Sequence, residues 1–244
     1  MKNQLSVMLC ICLCIFTSIL CAQQPDSLNS LPTKADILNL DLPKQPSAKW
    51  YKSTLFKTTV VPVALIGGGM ALWNQRDEVK ALRDQYFADF HTSIDDHMHY
   101  APIAAVYGLN LFGVKGRNGV GKATLCLLAS YAIASPIVAA LKKNTNVTRP
   151  SGGENSFPSW HTTRAFVAAS FLHKEYGKKS IWYSIGGYTV ATATGVCRSL
   201  NNAHWVSDIL VGAGIGILTT EASYLLMDWA SGKLKKRKLG DALK

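Results

Sequence analysis

Apolar residues fall into six long runs, approximately 55–73, 98–114, 123–141, 159–173, 181–197 and 205–227, separated by short polar connections. Alternation of apolar and polar positions is never sustained, and Ala, Gly, Leu and Ile dominate the runs, so the pattern predicts helices and argues against strands. Small residues recur at the spacing of helix contacts, as in Gly212-x-Gly214-x-Gly216 and Gly186-Gly187. Such stripes let neighbouring helices approach closely. Gly67-Gly68-Gly69 is not followed by the Gly-Lys-Ser/Thr of a phosphate-cradling loop, so it reads as packing too. An all-α bundle is expected.

The two ends depart from this pattern. Residues 1–22 read as an export signal, with Lys2 before an apolar stretch and Cys21-Ala22 before polar Gln23-Gln24-Pro25. Leu20-Cys21 is a poor lipoprotein cleavage site. Residues 23–50, with Pro25, Pro32, Pro43 and Pro46, read as an exposed linker, and 231–244 as a basic tail. The domain between them is expected to cover 51–230. Four of the six cysteines lie within 1–22, which leaves Cys126 and Cys197 as buried free thiols rather than a disulfide framework.

Spanning a bilayer takes about 20 apolar residues. Runs 123–141 and 205–227 fit best, whereas 55–73 holds Lys57 and 159–173 holds Arg164. The chain is 48% apolar but its mean hydropathy is only +0.10, so any spans are modestly hydrophobic. The net charge of +11 sits in short clusters without an array of stacking aromatics, which speaks against nucleic acid and for an anionic lipid surface or substrate. Residues 115–122, 174–179 and the tail are basic and fall on one side if every run crosses. The positive-inside rule makes that side cytoplasmic. A cleaved signal followed by three crossings before Lys142 gives the opposite orientation. Either the signal is not one, or run 55–73 or 98–114 does not cross, or the chain is a soluble helical protein. Trp182, Tyr183, Trp205 and Trp229, at run ends, read as interfacial anchors.

Three stretches carry the chemistry: Lys142-x6-Arg149-Pro150, Pro158-Ser159-Trp160-His161 and Arg198-x5-His204-x3-Asp208. All fall where runs end or begin, at one end of an antiparallel helix stack. Lys142, Arg149 and Arg198 can neutralise a phosphate dianion and the charge that develops on its equatorial oxygens. Ser159 can donate a hydrogen bond, and the amides opening the next helix offer more. His204 and Asp208, four residues apart, would share a helix face, so the carboxylate can orient the imidazole for attack on phosphorus. His204 is then the nucleophile and His161 the general acid. His91, Asp95, Asp96, His97 and His99 are metal-ligand residue types, but their spacing fits no standard site and reads as a polar loop entering a helix.

These stretches resemble the signature of the type 2 phosphatidic acid phosphatase and haloperoxidase superfamily, Lys-x6-Arg-Pro, Pro-Ser-Gly-His and Ser-Arg-x5-His-x3-Asp. The likeness begins near Asp95 and runs into the last helix. It implies a helical bundle of that type with about five or six transmembrane helices, and a phosphohistidine mechanism without metal or cofactor. It also implies a phosphomonoester or pyrophosphate of a membrane lipid as substrate: phosphatidic acid, phosphatidylglycerol phosphate, undecaprenyl pyrophosphate or lipid A. The expected partners are that lipid and the membrane, not nucleic acid. The expected place is the bacterial inner membrane, with the site facing the periplasm. A soluble periplasmic acid phosphatase is the alternative, and a vanadate-dependent haloperoxidase or a non-catalytic lipid-binding protein are remoter ones. Two positions depart from the signature. Cys197 stands for its Ser, and Trp160 for the Gly whose amide, by the resemblance, points at phosphate. The Trp160 indole either turns to lipid or core with that amide kept, or lines the entrance and narrows the choice of headgroup.

Overall fold

The computed structural model describes residues 54–232, so the expected export segment 1–22, the linker 23–50 and the tail beyond residue 232 lie outside the described residues. The chain divides into units 1–57 and 58–244, and the account below concerns the second. Its described residues are all-helical: α1 (Thr54–Ala71, continued by a 3₁₀ turn Leu72–Gln75), α2 (Arg76–Tyr86), α3 (Asp95–Met98), α4 (Ala101–Leu111), α5 (Val120–Thr145), α6 (Trp160–Tyr176), α7 (Ile181–Leu200) and α8 (Val206–Ala230).

All six apolar runs became helices. The segment 74–97, read as a polar connection, contains α2 and the short α3 as well. Asp77 and Glu78 in the first turn of α2 and Arg83 in its last complement the helix dipole. Run 98–114 shortens to an 11-residue α4. At 1.5 Å per residue α4 is about 16 Å long, roughly half the hydrocarbon thickness of a bilayer.

The glycine stripe on α8 works as its spacing predicts. A Cβ on Gly212 would lie 2.7 Å from the Ser159 carbonyl of α6, one on Gly216 2.6 Å from the Thr163 carbonyl, and one on Gly214 2.7 Å from the Pro62 carbonyl of α1. Helix α8 is thus gripped on two sides. Gly187 packs on Ala169 of α6, whereas Gly186 faces open space. Between α5 and α8 the buried Ser130 and Ser223 hydroxyls meet at 2.7 Å.

The two described basic connections, 115–122 and 174–179, share one end of the bundle. The Arg117 amide donates to the Glu175 carbonyl at 2.9 Å, its guanidinium pairs with Asp228 at 2.5 Å, and Lys122 donates to Ser231 at 3.1 Å. The Glu175 carboxylate is buried there but satisfied, accepting from Tyr224 Oη (2.6 Å) and from the Asn118 amide and side chain (2.8 Å each). Large apolar side chains stand exposed around the same end, including Leu111 and Phe112 (88% each), Trp182 (73%) and Trp229 (72%). Among the described residues α5 and α8 are long and apolar enough to cross a membrane. They differ in setting: α8 is mostly buried in the bundle, whereas α5 turns Leu125 and Leu128 outward. Cys126 is buried, Cys197 half-buried, and neither is in a disulfide among the described residues.

The close approach of α6 and α8 gives the first prediction. Gly216→Ala should cost about 1–3 kcal/mol, because a methyl cannot fit against the Thr163 backbone. Gly186→Ala should be neutral or slightly stabilising. Thermal unfolding of the two variants side by side measures the difference; equal midpoints would mean that the seam is not this tight.

Candidate active site

The three sequence stretches meet at the end of the bundle opposite Glu175. Helix α5 stops just beyond Lys142 because Asn146 adopts the left-handed conformation (φ 45°) and caps it, its amide donating to the Lys142 carbonyl. Helix α7 stops just beyond Arg198, whose carbonyl accepts from the Ala203 and His204 amides. Helices α6 and α8 begin at the same level and are tied by the Ser159 amide, which donates to the Asp208 carbonyl at 3.0 Å. Arg149, Asp208 and Arg198 all lie within electrostatic reach of Lys142, and Lys142, Arg149 and Asp208 within reach of His204. Separation along the chain has been removed by folding.

His204 differs from expectation in one respect. It does not share a helix face with Asp208, because Trp205 is the N-cap of α8 and His204 precedes it. Asp208, three residues after the cap, accepts from the Trp205 amide at 3.1 Å, which helps start the helix there. The two side chains still come together, with His204 Nδ1 3.5 Å from Asp208 Oδ2, an ion-pair distance rather than a well-formed hydrogen bond. Ser156 fills the remaining space. Its hydroxyl donates to Asp208 Oδ2 at 2.5 Å and lies 3.4 Å from His204 Nδ1. With Nδ1 facing this pair, Nε2 is the nitrogen left to act. Burial holds the His204 pKa below its usual 6.5, against the pull of Asp208. The ring is therefore a neutral base at ordinary pH.

The cations are positioned by backbone and acid partners. Lys142 Nζ donates to the Asn155 carbonyl at 2.6 Å and the Ser156 carbonyl at 3.3 Å. Arg149 Nε donates to the Glu154 carbonyl at 3.2 Å. Arg198 Nη1 donates to Asp95 (2.9 Å) and Asp96 (3.2 Å), while its buried Nε has no partner among the described residues. Such a donor is costly to leave unpaired, and an anion's oxygen would satisfy it. The His161 Nε2 lies 3.2 Å from the same Asp96 carboxylate. Burial, then the Arg198 charge, lowers the His161 pKa to about 4, with Asp96 opposing and His99 and His204 adding to the fall.

Ser159 takes up a capping role beside the one expected, and Trp160 follows the first of its two expected readings. Ser159 is fully buried and caps α6, its hydroxyl accepting from the Thr162 amide (3.4 Å) and the Thr162 hydroxyl (3.0 Å). The Trp160 indole turns into the bundle, against the Val138, Phe157, Val211 and Ile215 cluster and edge-on to Tyr131 at 6.5 Å. Its amide stays at the opening of α6, where N–H groups lack an intrahelical acceptor.

Residues 76–100 form a shoulder on the site that sequence reasoning missed. The Arg83 guanidinium donates to the Leu200 carbonyl at 2.5 and 2.8 Å, and Asn201 bridges to Thr92 and Asp95. Lys80 and then Arg83 hold the Asp84 carboxyl down at about 2. Asp95 and Asp96 are thus no idle polar loop but the partners of Arg198 and His161. The adjacent acids at the head of a short helix were the available signal. Trp205 is likewise no interfacial anchor. Its Nε1 donates to the Thr148 carbonyl at 2.7 Å and its ring carries the Arg76 guanidinium.

An all-α bundle with a cationic, two-histidine cradle at one end defines a class of phosphate-handling proteins. Residues 151–231 match the family model described as the PAP2 superfamily, and the chain belongs to that superfamily. It is 40% identical over 166 residues to the Lipid A 1-phosphatase of Porphyromonas gingivalis (strain ATCC 33277), covering 67% of this chain but only 37% of the relative. Among solved structures, Aquifex aeolicus LpxE is similar at 21% identity with a TM-score of 0.47, over 59% of this chain and 93% of that one. A transmembrane PAP2-type phosphatidylglycerolphosphate phosphatase from Bacillus subtilis is similar at 20% identity with a TM-score of 0.48, over 68% and 94%.

The position of the indole makes Trp160 a packing residue. Trp160→Gly should lower stability by about 2 kcal/mol or more through lost packing. Thermal unfolding checks this, and an unchanged midpoint would return the ring to solvent.

Proposed function

We propose that this protein is a membrane-associated phosphatase that removes a phosphomonoester or pyrophosphate phosphate from a lipid through a phosphohistidine. The observation that carries the reading is the convergence of Lys142 and Arg149 on the buried His204, with Arg198 and its unpartnered Nε within reach of Lys142 and His161. Phosphate lipids are favoured over soluble esters by the apolar side chains that α4, α5, α7 and α8 leave exposed. The lipid A phosphatase named above supports the same substrate class. The basic loops at the opposite end of the bundle favour a site on the periplasmic side.

In the first step His204 Nε2 attacks phosphorus, and the bond to the leaving lipid oxygen breaks. His161, protonated once the bound phosphate anion raises its pKa from the value of about 4 in the empty site, gives that oxygen its proton, and Asp208 stabilises the positive charge on the His204 imidazole through Nδ1. Lys142, Arg149, Arg198 and the opening amides of α6 hold the equatorial oxygens. In the second step His161, now neutral, accepts a proton from water as that water attacks phosphorus, and His204 leaves. The cradle is itself cationic and supplies the charge stabilisation within the protein.

Two outcomes are expected. Phosphate release from detergent-dispersed phosphatidic acid, phosphatidylglycerol phosphate, undecaprenyl pyrophosphate and lipid A, with chelator present, should be seen with at least one lipid. It should fall by about 10³-fold or more in His204→Ala. Retained turnover in that variant would sink the mechanism. The second concerns Asp96, which faces His161 along with Arg198, His99 and His204. Its negative charge raises the pKa of His161, so Asp96→Asn should lower it further. The basic limb of the kcat/KM profile should then move to lower pH, because the protonated acid is lost earlier as pH rises. An unmoved limb would remove His161 from the acid role.

A further inference from the structure

Beside the cradle lies a cavity of about 630 Å³ that the proposed chemistry does not use. The 3₁₀ turn and α2 supply Trp73, Arg76 and Asp77, the loop after α5 supplies Arg149, and the α8 N-cap supplies Trp205. Arg149 therefore belongs to both cradle and cavity, and Trp205 follows His204 in the chain. The Arg76 guanidinium lies 5.1 Å from the Trp73 ring and 5.1 Å from the Trp205 ring. Its Nη1 is buried and has no hydrogen-bond partner among the described residues. Lys80 also reaches this wall but is engaged by Asp84.

We infer that this cavity holds a phosphorylated sugar headgroup, with the pyranose in the cavity and its scissile phosphate on the Arg149 side. This rests on the lipid phosphatase reading. Pockets of about 300–1,000 Å³ suit a polar ligand of that size. Phosphatidic acid has only the phosphate itself as headgroup and would leave the cavity unused. Indole rings offer flat apolar faces to the C–H face of a pyranose, with a polar edge beside them. The unpaired Arg76 donor meets a sugar oxygen, where a purely apolar guest would leave it unsatisfied. Asp77 is exposed in the same wall and accepts from hydroxyls, which a ligand made only of phosphate could not offer.

The test compares two lipids on the full-length protein in detergent, a phosphorylated glucosamine lipid and phosphatidic acid. Arg76→Gln should lower the ratio of kcat/KM for glycolipid over phosphatidic acid by roughly ten-fold, mainly through KM, the loss expected for one hydrogen bond from a charged group. Arg76→Lys should recover only part of it, since an ammonium cannot reproduce the planar stack. An unchanged ratio in folded Arg76→Gln, checked by circular dichroism, would overturn the proposal. A binding measurement covers the case in which the Arg76 variants fail to fold. In His204→Ala protein, tryptophan fluorescence should report glucosamine 1-phosphate binding at least several-fold tighter than glycerol 1-phosphate, and equal affinities would overturn the proposal. If the wild type released phosphate from no lipid, the phosphatase reading would fall, and this titration would still decide the cavity.

Discussion

The first turns of α6 and α8 are held together by a hydrogen bond and a missing side chain. The Ser159 amide donates to the Asp208 carbonyl at 3.0 Å, and Gly212 leaves the Ser159 carbonyl room that a Cβ would occupy at 2.7 Å. A methyl there would push the helices apart by more than the tolerance of a hydrogen bond. His161 rides on one helix, and His204 and Asp208 belong to the start of the other. The spacing of the proposed acid and nucleophile is therefore set by backbone packing, not by contact between their own side chains.

Around that joint the charges are arranged in alternate layers. Lys142, Arg149 and Arg198 form the inner layer, and Asp95, Asp96 and Asp208 stand behind or beside them. The outer acids hold the cations without cancelling them, because Arg198 binds them through Nη1 and keeps Nε for another partner. Asp96 sits at the meeting point of Arg198 and His161, so the proposed phosphate binding and proton delivery share one carboxylate. At the far end Glu175 plays a purely structural part, with its carboxylate bound by Tyr224 and Asn118.

Much of this was legible beforehand. The six runs predicted six helices because an apolar face must be buried whatever its partner. Gly212-x-Gly214-x-Gly216 predicted close packing because only glycine admits a neighbouring backbone at that distance. The motif residues were placed at one end because they lie at run boundaries, and antiparallel helices bring alternate boundaries together. The failures have equally local causes. Helix α2 has no apolar run, since its stability comes from charges bonded to the α7–α8 turn. His204 was assigned to the helix because a spacing of four suits one, but capping by Asp208 starts the helix a residue later.

Composition and spacing thus determined the helical class, the end of the bundle at which the motif residues gather, and the residue types that meet there. These follow from periodicity and residue chemistry, which are local properties. The tertiary structure decided which groups stand next to one another across the chain. It put Ser156 between His204 and Asp208, Asp96 between His161 and Arg198, the half-buried Trp160 against an apolar cluster, and Trp205 over Arg76 beside a cavity. The hydrogen-bonded, ionic and stacked pairs among these join residues from 48 to 129 positions apart in sequence. No local pattern encodes them, because they exist only once separate helices have packed.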